Sequence, residues 1–88
     1  MDKKAQSNFA KHGVSFEDAR SVFDDAFAMP HGGFANGGGE ARYLITGMAN
    51  GVLLTVAFTE RGERTRIISA RKATRHEQRD YYRNQTPV

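Results

Sequence analysis

Three stretches in the second half of the chain alternate between apolar and polar residues, and each is rich in β-branched side chains. They cover residues 41–49, 52–60 and 64–71. Such alternation is typical of strands with one buried face. Asn50-Gly51 separates the first two stretches and favours a two-residue turn that pairs Ala49 with Val52. These stretches therefore predict an antiparallel sheet.

The second turn decides which side chains share a face of that sheet. A two-residue turn at Gly62-Glu63 pairs Arg61 with Arg64 and fixes the register. One face is then apolar enough to lie under helices, and it carries Tyr43, Ile45, Gly47, Val52, Leu54, Val56, Phe58, Thr65, Ile67 and Ser69. The opposite face is mixed, and it carries Arg42, Leu44, Thr46, Leu53, Thr55, Ala57, Thr59, Arg64, Arg66 and Ile68. The basic, hydroxyl-lined end of this mixed face is a plausible platform for an RNA phosphate. If the second turn had three residues instead of two, Arg66 would lie on the other face.

Two short helices are predicted before the sheet. Residues 3–12 place Ala5 and Phe9 four positions apart, on one apolar face. Ser15 is suited to be the N-cap of a second helix, which we expect to run to about Asp24. Both helices would cover the apolar face of the sheet.

A third helix is predicted after the last strand. Thr74 and Glu77 have the spacing of a capping box, so the helix should begin at about Arg75. Tyr81 or Tyr82 would then dock this helix on the apolar end of the mixed face.

Residues 27–40 are predicted to be a loop, because Pro30 and five glycines interrupt any regular pattern. The expected fold class is α+β. Two N-terminal helices would pack on a small antiparallel sheet of three or four strands, followed by a C-terminal helix, all within one domain.

The composition narrows the class of protein. The 88 residues include no cysteine, which excludes disulfides and thiolate zinc sites. No apolar run approaches the roughly 18 residues of a membrane span, and the start of the chain is too polar for a signal peptide. We expect a soluble, cytoplasmic protein with no membrane contact.

Charge is unevenly distributed along the chain. From Arg61 onward there are eight Lys/Arg and three Asp/Glu, whereas residues 1–60 hold five and seven. Such an asymmetry favours a polyanionic partner, most often a nucleic acid. The alternative is that the Arg-rich helix is simply well solvated.

Several motifs together resemble the BrnT family, the ribonuclease toxins of BrnT/BrnA type II toxin–antitoxin modules. The similar segments are Lys4, residues 8–19, 22–25, 59–62 and 66–73, Arg75 and Glu77. The Lys-His-Gly tripeptide at 11–13 and the Ile-Ser-Ala-Arg segment at 68–71 are the most characteristic pair. Family members usually begin with a short apolar strand containing a Trp-Asp pair, and Met1 stands here at the position of that Asp.

The resemblance implies a RelE-like fold, in which helices cover one face of the sheet and RNA is cleaved on the other to inhibit translation. It also implies a BrnA-like antitoxin that blocks toxicity, forms a hetero-oligomer with the toxin, and binds promoter DNA on behalf of the complex. We expect the antitoxin to cover the surface around Arg64, Arg71 and Arg75, because a basic surface favours an acidic partner.

RNA cleavage without a metal or other cofactor requires a base, cations around the phosphate, and an acid for the leaving oxygen. The expected catalytic residues are His12, Glu60, Arg66 and Arg71. The expected substrate-binding residues are Lys11, Arg42, Arg64 and Arg75. Arginine is suited to this role because its planar fork holds phosphate oxygens in pairs.

Each of these assignments has a structural alternative. His12 can be a helix-terminal residue placed against the helix dipole, and Glu60 can form a cross-strand ion pair. Arg71 and Arg75 can bind RNA or an acidic antitoxin segment. His31 and His76 are not expected to bind a metal, because no ligand spacing accompanies them. The competing functions are a nucleic-acid-binding module without catalysis and a protein that only docks a partner.

Overall fold

The computed structural model describes residues 3–35 and 41–85, which form three helices and a four-stranded antiparallel sheet. In chain order the elements are α1 (Lys3–His12), α2 (Phe16–Val22), β1 (Met29–Ala35), β2 (Ala41–Ala49), β3 (Val52–Arg61), β4 (Arg64–Lys72) and α3 (Arg75–Gln85). The strands lie in the order β1-β2-β3-β4, so β1 and β4 are the edges among the described strands. The predicted α+β class is confirmed.

Both predicted turns are confirmed. Asn50 and Gly51 have positive φ values of 51° and 81°, as a primed two-residue turn requires, and Ala49 pairs with Val52. Arg61 pairs with Arg64 across the second turn. Turn chemistry therefore sets the register of two strand pairs, β2 with β3 and β3 with β4.

The predicted helix caps are confirmed as well. The backbone N–H of Asp18 donates to Ser15 Oγ at 3.0 Å, although α2 ends at Val22, slightly earlier than expected. In the capping box, the N–H of Glu77 donates to Thr74 Oγ1 at 3.1 Å, and the N–H of Thr74 donates to Glu77 Oε1 at 2.9 Å. Local hydrogen bonds thus define where these helices begin.

The predicted loop at 27–40 is wrong for its central part, because residues 29–35 form β1 and pair with β2. Proline is compatible with an edge strand, and Pro30 lies opposite Ile45. The register shifts between His31 and Gly33, where Gly32 takes a φ of 67° that a bulge of this kind favours. Residues 36–40 of the predicted loop lie outside the described residues.

The helix α2 packs on one face of the sheet, called here the helix-covered face, whose core includes Ile45, Leu54, Val56, Phe58 and Ala70. The helix α1 lies against α2 and the edge strand β4. Val22 of α2 is fully buried against this face. Gly47 permits the close approach, because a Cβ there would lie 2.9 Å from Val22 Cγ1 and 3.2 Å from Val22 O.

A bulge in β4 corrects the predicted sorting of its side chains. Phe58 pairs with Ile67 but Ala57 pairs with Ser69, which leaves Ile68 as the additional residue. Ser69 was expected on the helix-covered face, but the bulge pairs it with Ala57 of the opposite face. Ala70 enters the core in its place and is fully buried.

The buried face of α1 also differs from the prediction. Phe9 is 57 % exposed, whereas Asn8 is only 6 % exposed. The side chain of Asn8 donates to the carbonyl oxygens of Val14 and Ala70 and accepts from the N–H of Ala70, each at 2.9 Å. A polar residue faces inward because it satisfies backbone groups that would otherwise be buried without partners.

The helix α3 packs on the opposite face of the sheet through Tyr81, which is 3 % exposed and contacts the cluster of Leu53 and Ala73. This confirms the predicted docking, with Tyr81 rather than Tyr82 buried. The hydroxyl of Tyr81 donates to Asp25 Oδ2 at 2.6 Å, and burial together with this bond raises the pKa of Tyr81 to about 12. In the described part of the chain, every helix is too short or too polar to cross a membrane.

Candidate active site

A continuous chain of polar side chains lies beside α3 on the face opposite α1 and α2, called here the polar face. His31 Nε2 lies 2.7 Å from Thr46 Oγ1, and Thr46 Oγ1 lies 2.7 Å from Thr55 Oγ1. Thr55 donates to Glu77 Oε1 at 2.8 Å, and Arg71 donates to both carboxylate oxygens of Glu77, at 2.7 and 3.0 Å. These five residues are called the polar network.

The hydrogen bonds of the polar network have one consistent direction. Each threonine hydroxyl has a single proton, and that of Thr55 is donated to Glu77. Thr46 must therefore donate to Thr55, and its oxygen accepts from His31 Nε2–H. This arrangement protonates Nε2 of His31 and leaves Nδ1 with the lone pair in the neutral imidazole.

Glu77 is the acceptor at the end of the network. Burial raises the pKa of Glu77, but hydrogen bonds from Arg71, Thr74 N–H and Thr55 outweigh that effect and lower the pKa to about 2. The hydrogen bond to Glu77 in turn raises the pKa of Arg71, against the opposing effect of burial. Both groups are fully charged at neutral pH, so Glu77 orients its partners and is a poor proton acceptor itself.

The local sequence explains how three separate elements meet here. The bulge at Ile68 places Arg71 opposite Thr55, on the polar face, instead of in the core. The capping box fixes Glu77 in the first turn of α3. The irregular pairing around Gly32 places His31 of β1 opposite Leu44 of β2. Thr46 lies two residues further along β2, on the same face as Leu44.

The polar network offers proton transfer and a guanidinium in one place. The side chains of His31 and Arg71 are 28 % and 38 % exposed, whereas Glu77 is 12 % exposed. A solute on the polar face can thus reach the imidazole and the guanidinium, while the less exposed carboxylate bonds Arg71 directly and connects to His31 through Thr55 and Thr46. The described residues contain no group of three or more His, Asp or Glu placed to hold a metal ion.

The predicted site residues on the strands of the polar face are Arg42, Arg64, Arg66 and Arg71, and Arg64 lies at the end of this face, opposite Arg61. Of these, Arg71 is part of the network, and Arg66 pairs with Thr59 further along β4. Arg42 is half-buried in β2. Arg75 is exposed in the first turn of α3, next to the capping box.

The other predicted residues lie elsewhere. Lys11 and His12 are exposed at the end of α1, which lies against α2 and the edge strand β4. Glu60 is exposed on β3 and pairs with Thr65. The structure therefore does not bring His12 or Glu60 into the polar network.

Thr55 belongs to the predicted basic, hydroxyl-lined end of the mixed face, whereas His31, Glu77 and Thr46 were not predicted as members of a site. Thr46 and Thr55 were placed on the correct face, and Glu77 was recognised as a capping residue. His31 was missed because its strand contains proline and glycine. The available signal was that proline and glycine, which interrupt central strands, are tolerated in an edge strand and at a bulge.

Comparison with known proteins identifies the family of the chain. No curated protein matches the sequence. The family model described as "Ribonuclease toxin, BrnT, of type II toxin-antitoxin system" matches residues 1–77, which include the whole polar network. The chain therefore belongs to the BrnT family of type II toxin–antitoxin ribonuclease toxins.

Proposed function

We propose that this toxin cleaves RNA on the polar face, with His31 and Arg71 as the catalytic residues and Glu77 as the residue that positions them. The observation that carries the proposal is the directed chain of hydrogen bonds from His31 to Glu77, which ends on the carboxylate that also holds Arg71 in two places. The reaction needs no metal in this scheme, and loss of RNA inhibits translation.

The chemistry follows from the groups at hand. In the reaction, the RNA 2′-oxygen attacks the adjacent phosphorus and the bond from phosphorus to the 5′-oxygen breaks. His31 Nδ1 accepts the 2′-hydroxyl proton, since Nε2 is committed to Thr46. Arg71 donates to the phosphate oxygens as negative charge develops on them. A proton must also reach the leaving 5′-oxygen, and imidazolium formed in the first transfer is suited to supply it.

Further arginines on the polar face can hold the RNA backbone. Arg66 and Arg71 pair with Thr59 and Thr55, and four residues of a strand span about 13 Å. Arg42 and Arg75 lie near the two ends of this path. We assign these residues to phosphate binding, with sequence-independent contacts that weaken as salt concentration rises.

Several finer properties belong to the same proposal. The antitoxin is BrnA-like, the hetero-oligomer binds promoter DNA only through that antitoxin, and the toxin acts in the cytoplasm. The competing assignment takes His12 and Glu60 as base and acid, with Lys11 and Arg64 binding the substrate. The exposed, separated positions of His12 and Glu60 give that assignment less support.

The test is cleavage of a single-stranded RNA by the purified toxin, with and without EDTA. Cleavage that persists in EDTA and leaves 2′,3′-cyclic phosphate and 5′-hydroxyl ends supports the proposal. Arg79→Ala, an exposed change on α3 outside the network, is the control for handling and folding. Binding of RNA without cutting, or cleavage that requires added Mg²⁺, would overturn it.

A further inference from the structure

A second basic region lies between α1, α2 and the edge strand β4, outside the polar network, and it shares Arg66 with the proposed RNA path. It is a groove of about 650 Å³ between the helices and the edge strand β4, and its cations are Lys4, Arg20, Arg61, Arg64 and Arg66. No carboxylate occurs among the described residues that line it. We call it the cationic groove.

The cationic groove has apolar walls and continues into an apolar groove. Phe16, Phe23 and Ile67 line the cationic groove. Phe16 and Arg20 are shared with a second groove of about 540 Å³, which also contains Phe9. A cationic channel that leads to exposed phenylalanine suits a ligand that combines acidic and apolar side chains, which is the chemistry of a peptide.

The outer edge of β4 adds a backbone recognition element. A two-residue turn directs the N–H of Arg64 toward β3, so the backbone groups of Thr65 and Ile67 point outward. Further along the same edge, Asn8 bonds both backbone groups of Ala70 in the manner of a neighbouring strand. The edge is thus covered at Ala70, whereas at Thr65 and Ile67 it borders the cationic groove.

We propose that the edge of β4 at Thr65 to Ile67 and the cationic groove together bind an extended, acidic segment of the antitoxin. The segment would add a strand to β4, place its carboxylates near Arg20 and Arg64, and insert apolar side chains toward Phe16 and Phe9. The inference rests on the proposed function in taking the antitoxin as the partner.

The arginines beside the β4 edge select which strands can pair with it. Arginines beside an edge strand oppose pairing with another copy of the same strand, because like charges would face each other. The same arginines favour a strand that carries Asp or Glu. A strand added to β4 would lie next to Arg66, so the bound antitoxin would also border the proposed RNA path without needing to contact Arg71.

The experiment compares antitoxin affinity and RNA cleavage in two variants. Arg20→Glu reverses one exposed groove charge, and Thr65→Pro removes an outward N–H that the sheet does not use. Each should weaken antitoxin binding by at least about tenfold, measured by calorimetry, while cleavage by the free toxin stays within about twofold of wild type. Arg83→Glu, an exposed reversal on α3, should leave both values unchanged.

The outcomes separate the two proposals. Unchanged antitoxin affinity in both folded variants overturns the docking site. Weaker RNA cleavage with unchanged antitoxin affinity also overturns it, because the groove would then bind RNA. If wild-type toxin cuts no RNA but the variants still lose antitoxin affinity, the docking site stands and the proposed catalytic role fails. Circular dichroism checks that each variant is folded. If Thr65→Pro does not fold, the antitoxin affinity of Arg20→Glu alone tests the docking site.

Discussion

The polar network and the cationic groove use similar side chains in different ways. In the network, Arg71 is held at two points by Glu77, and that carboxylate also accepts from Thr55. In the groove, five cations stand together and no carboxylate lies among the described lining residues. One arrangement fixes a cation in a single orientation, and the other concentrates positive charge over a wider surface.

This difference suits the polar network to catalysis and the cationic groove to attracting an acidic partner. Catalysis requires groups that are oriented before the substrate arrives, and the carboxylate of Glu77 supplies that orientation for Arg71. Attraction of an acidic segment requires only a positive electrostatic potential and accessible side chains, and this attraction weakens as salt concentration rises. We therefore propose different partners for the two regions, RNA for the polar network and the antitoxin for the cationic groove.

The largest expected effect is on His31. His31→Ala should lower the RNA cleavage rate by about 10² to 10⁴, the usual contribution of a positioned acid or base. His12→Ala should have a smaller effect, because His12 ends α1 on the other side of the sheet. Single-turnover cleavage of a defined RNA measures both. An effect of His12→Ala that exceeds that of His31→Ala would move the chemistry to the helix side.

The next effect concerns the guanidinium. Arg71→Ala should reduce cleavage by about 10² to 10³, roughly 3 kcal/mol of transition-state stabilisation. Arg71→Lys keeps the charge but loses the two-point contact with Glu77. Its cleavage rate should therefore be only slightly higher than that of Arg71→Ala. Arg66→Ala should also abolish toxicity in cells through loss of phosphate binding, with the fold intact. Wild-type toxicity of both alanine variants would contradict the assignment.

A third prediction separates stability from activity. Asn8→Ala leaves the N–H and carbonyl of Ala70 and the carbonyl of Val14 without their side-chain partner. We expect the free energy of unfolding to fall by about 3 kcal/mol, a large share of the total for a small domain. Urea denaturation measures it, with the exposed Asn84→Ala as the matched control. A loss below about 0.5 kcal/mol would show that Asn8 does not secure the β4 edge.

The smallest effect appears only in acid. The folded pKa of Glu77, about 2, lies below the ordinary value of 4.5. Its ionised form therefore stabilises the fold fully above about pH 4.5, by at most about 3 kcal/mol, and this contribution is lost as pH falls toward 2. In Glu77→Gln, the free energy of unfolding should fall less steeply between about pH 4.5 and 2 than in wild type. The exposed Glu63→Gln should show the wild-type dependence on pH. An identical dependence on pH for wild type and Glu77→Gln would contradict the depressed pKa.

The parts of the fold that the sequence predicted are those set by local chemistry. The turns at Asn50-Gly51 and Gly62-Glu63, the cap at Ser15 and the capping box at Thr74 depend on neighbouring residues alone. The strand β1 was missed because Pro30 and Gly32 are unfavourable in most strands, and only pairing along an open edge makes them acceptable. The inward position of Asn8 was missed because its partners lie on a distant strand.

The site was less predictable because it depends on a bulge and on three separate elements. Strict alternation from Arg64 would place Arg71 on the helix-covered face, and only the additional residue at Ile68 reverses this. Glu77 was identified by its capping role, which gave no sign that the same carboxylate also binds Arg71 and Thr55. The choice of Arg71 and Arg66 followed from charge and from the family resemblance, and their catalytic roles stay predictions.

The most direct test of the account is to map where RNA binds. Amide and histidine chemical shifts of isotope-labelled toxin are recorded while an uncleavable 2′-O-methyl oligoribonucleotide is added. We predict that the changes concentrate on the polar face, at the His31 ring and at residues 44–46, 55–59 and 69–77. Changes confined to α1 and α2, around His12 and Phe9, would contradict the claim that RNA is cleaved on the polar face.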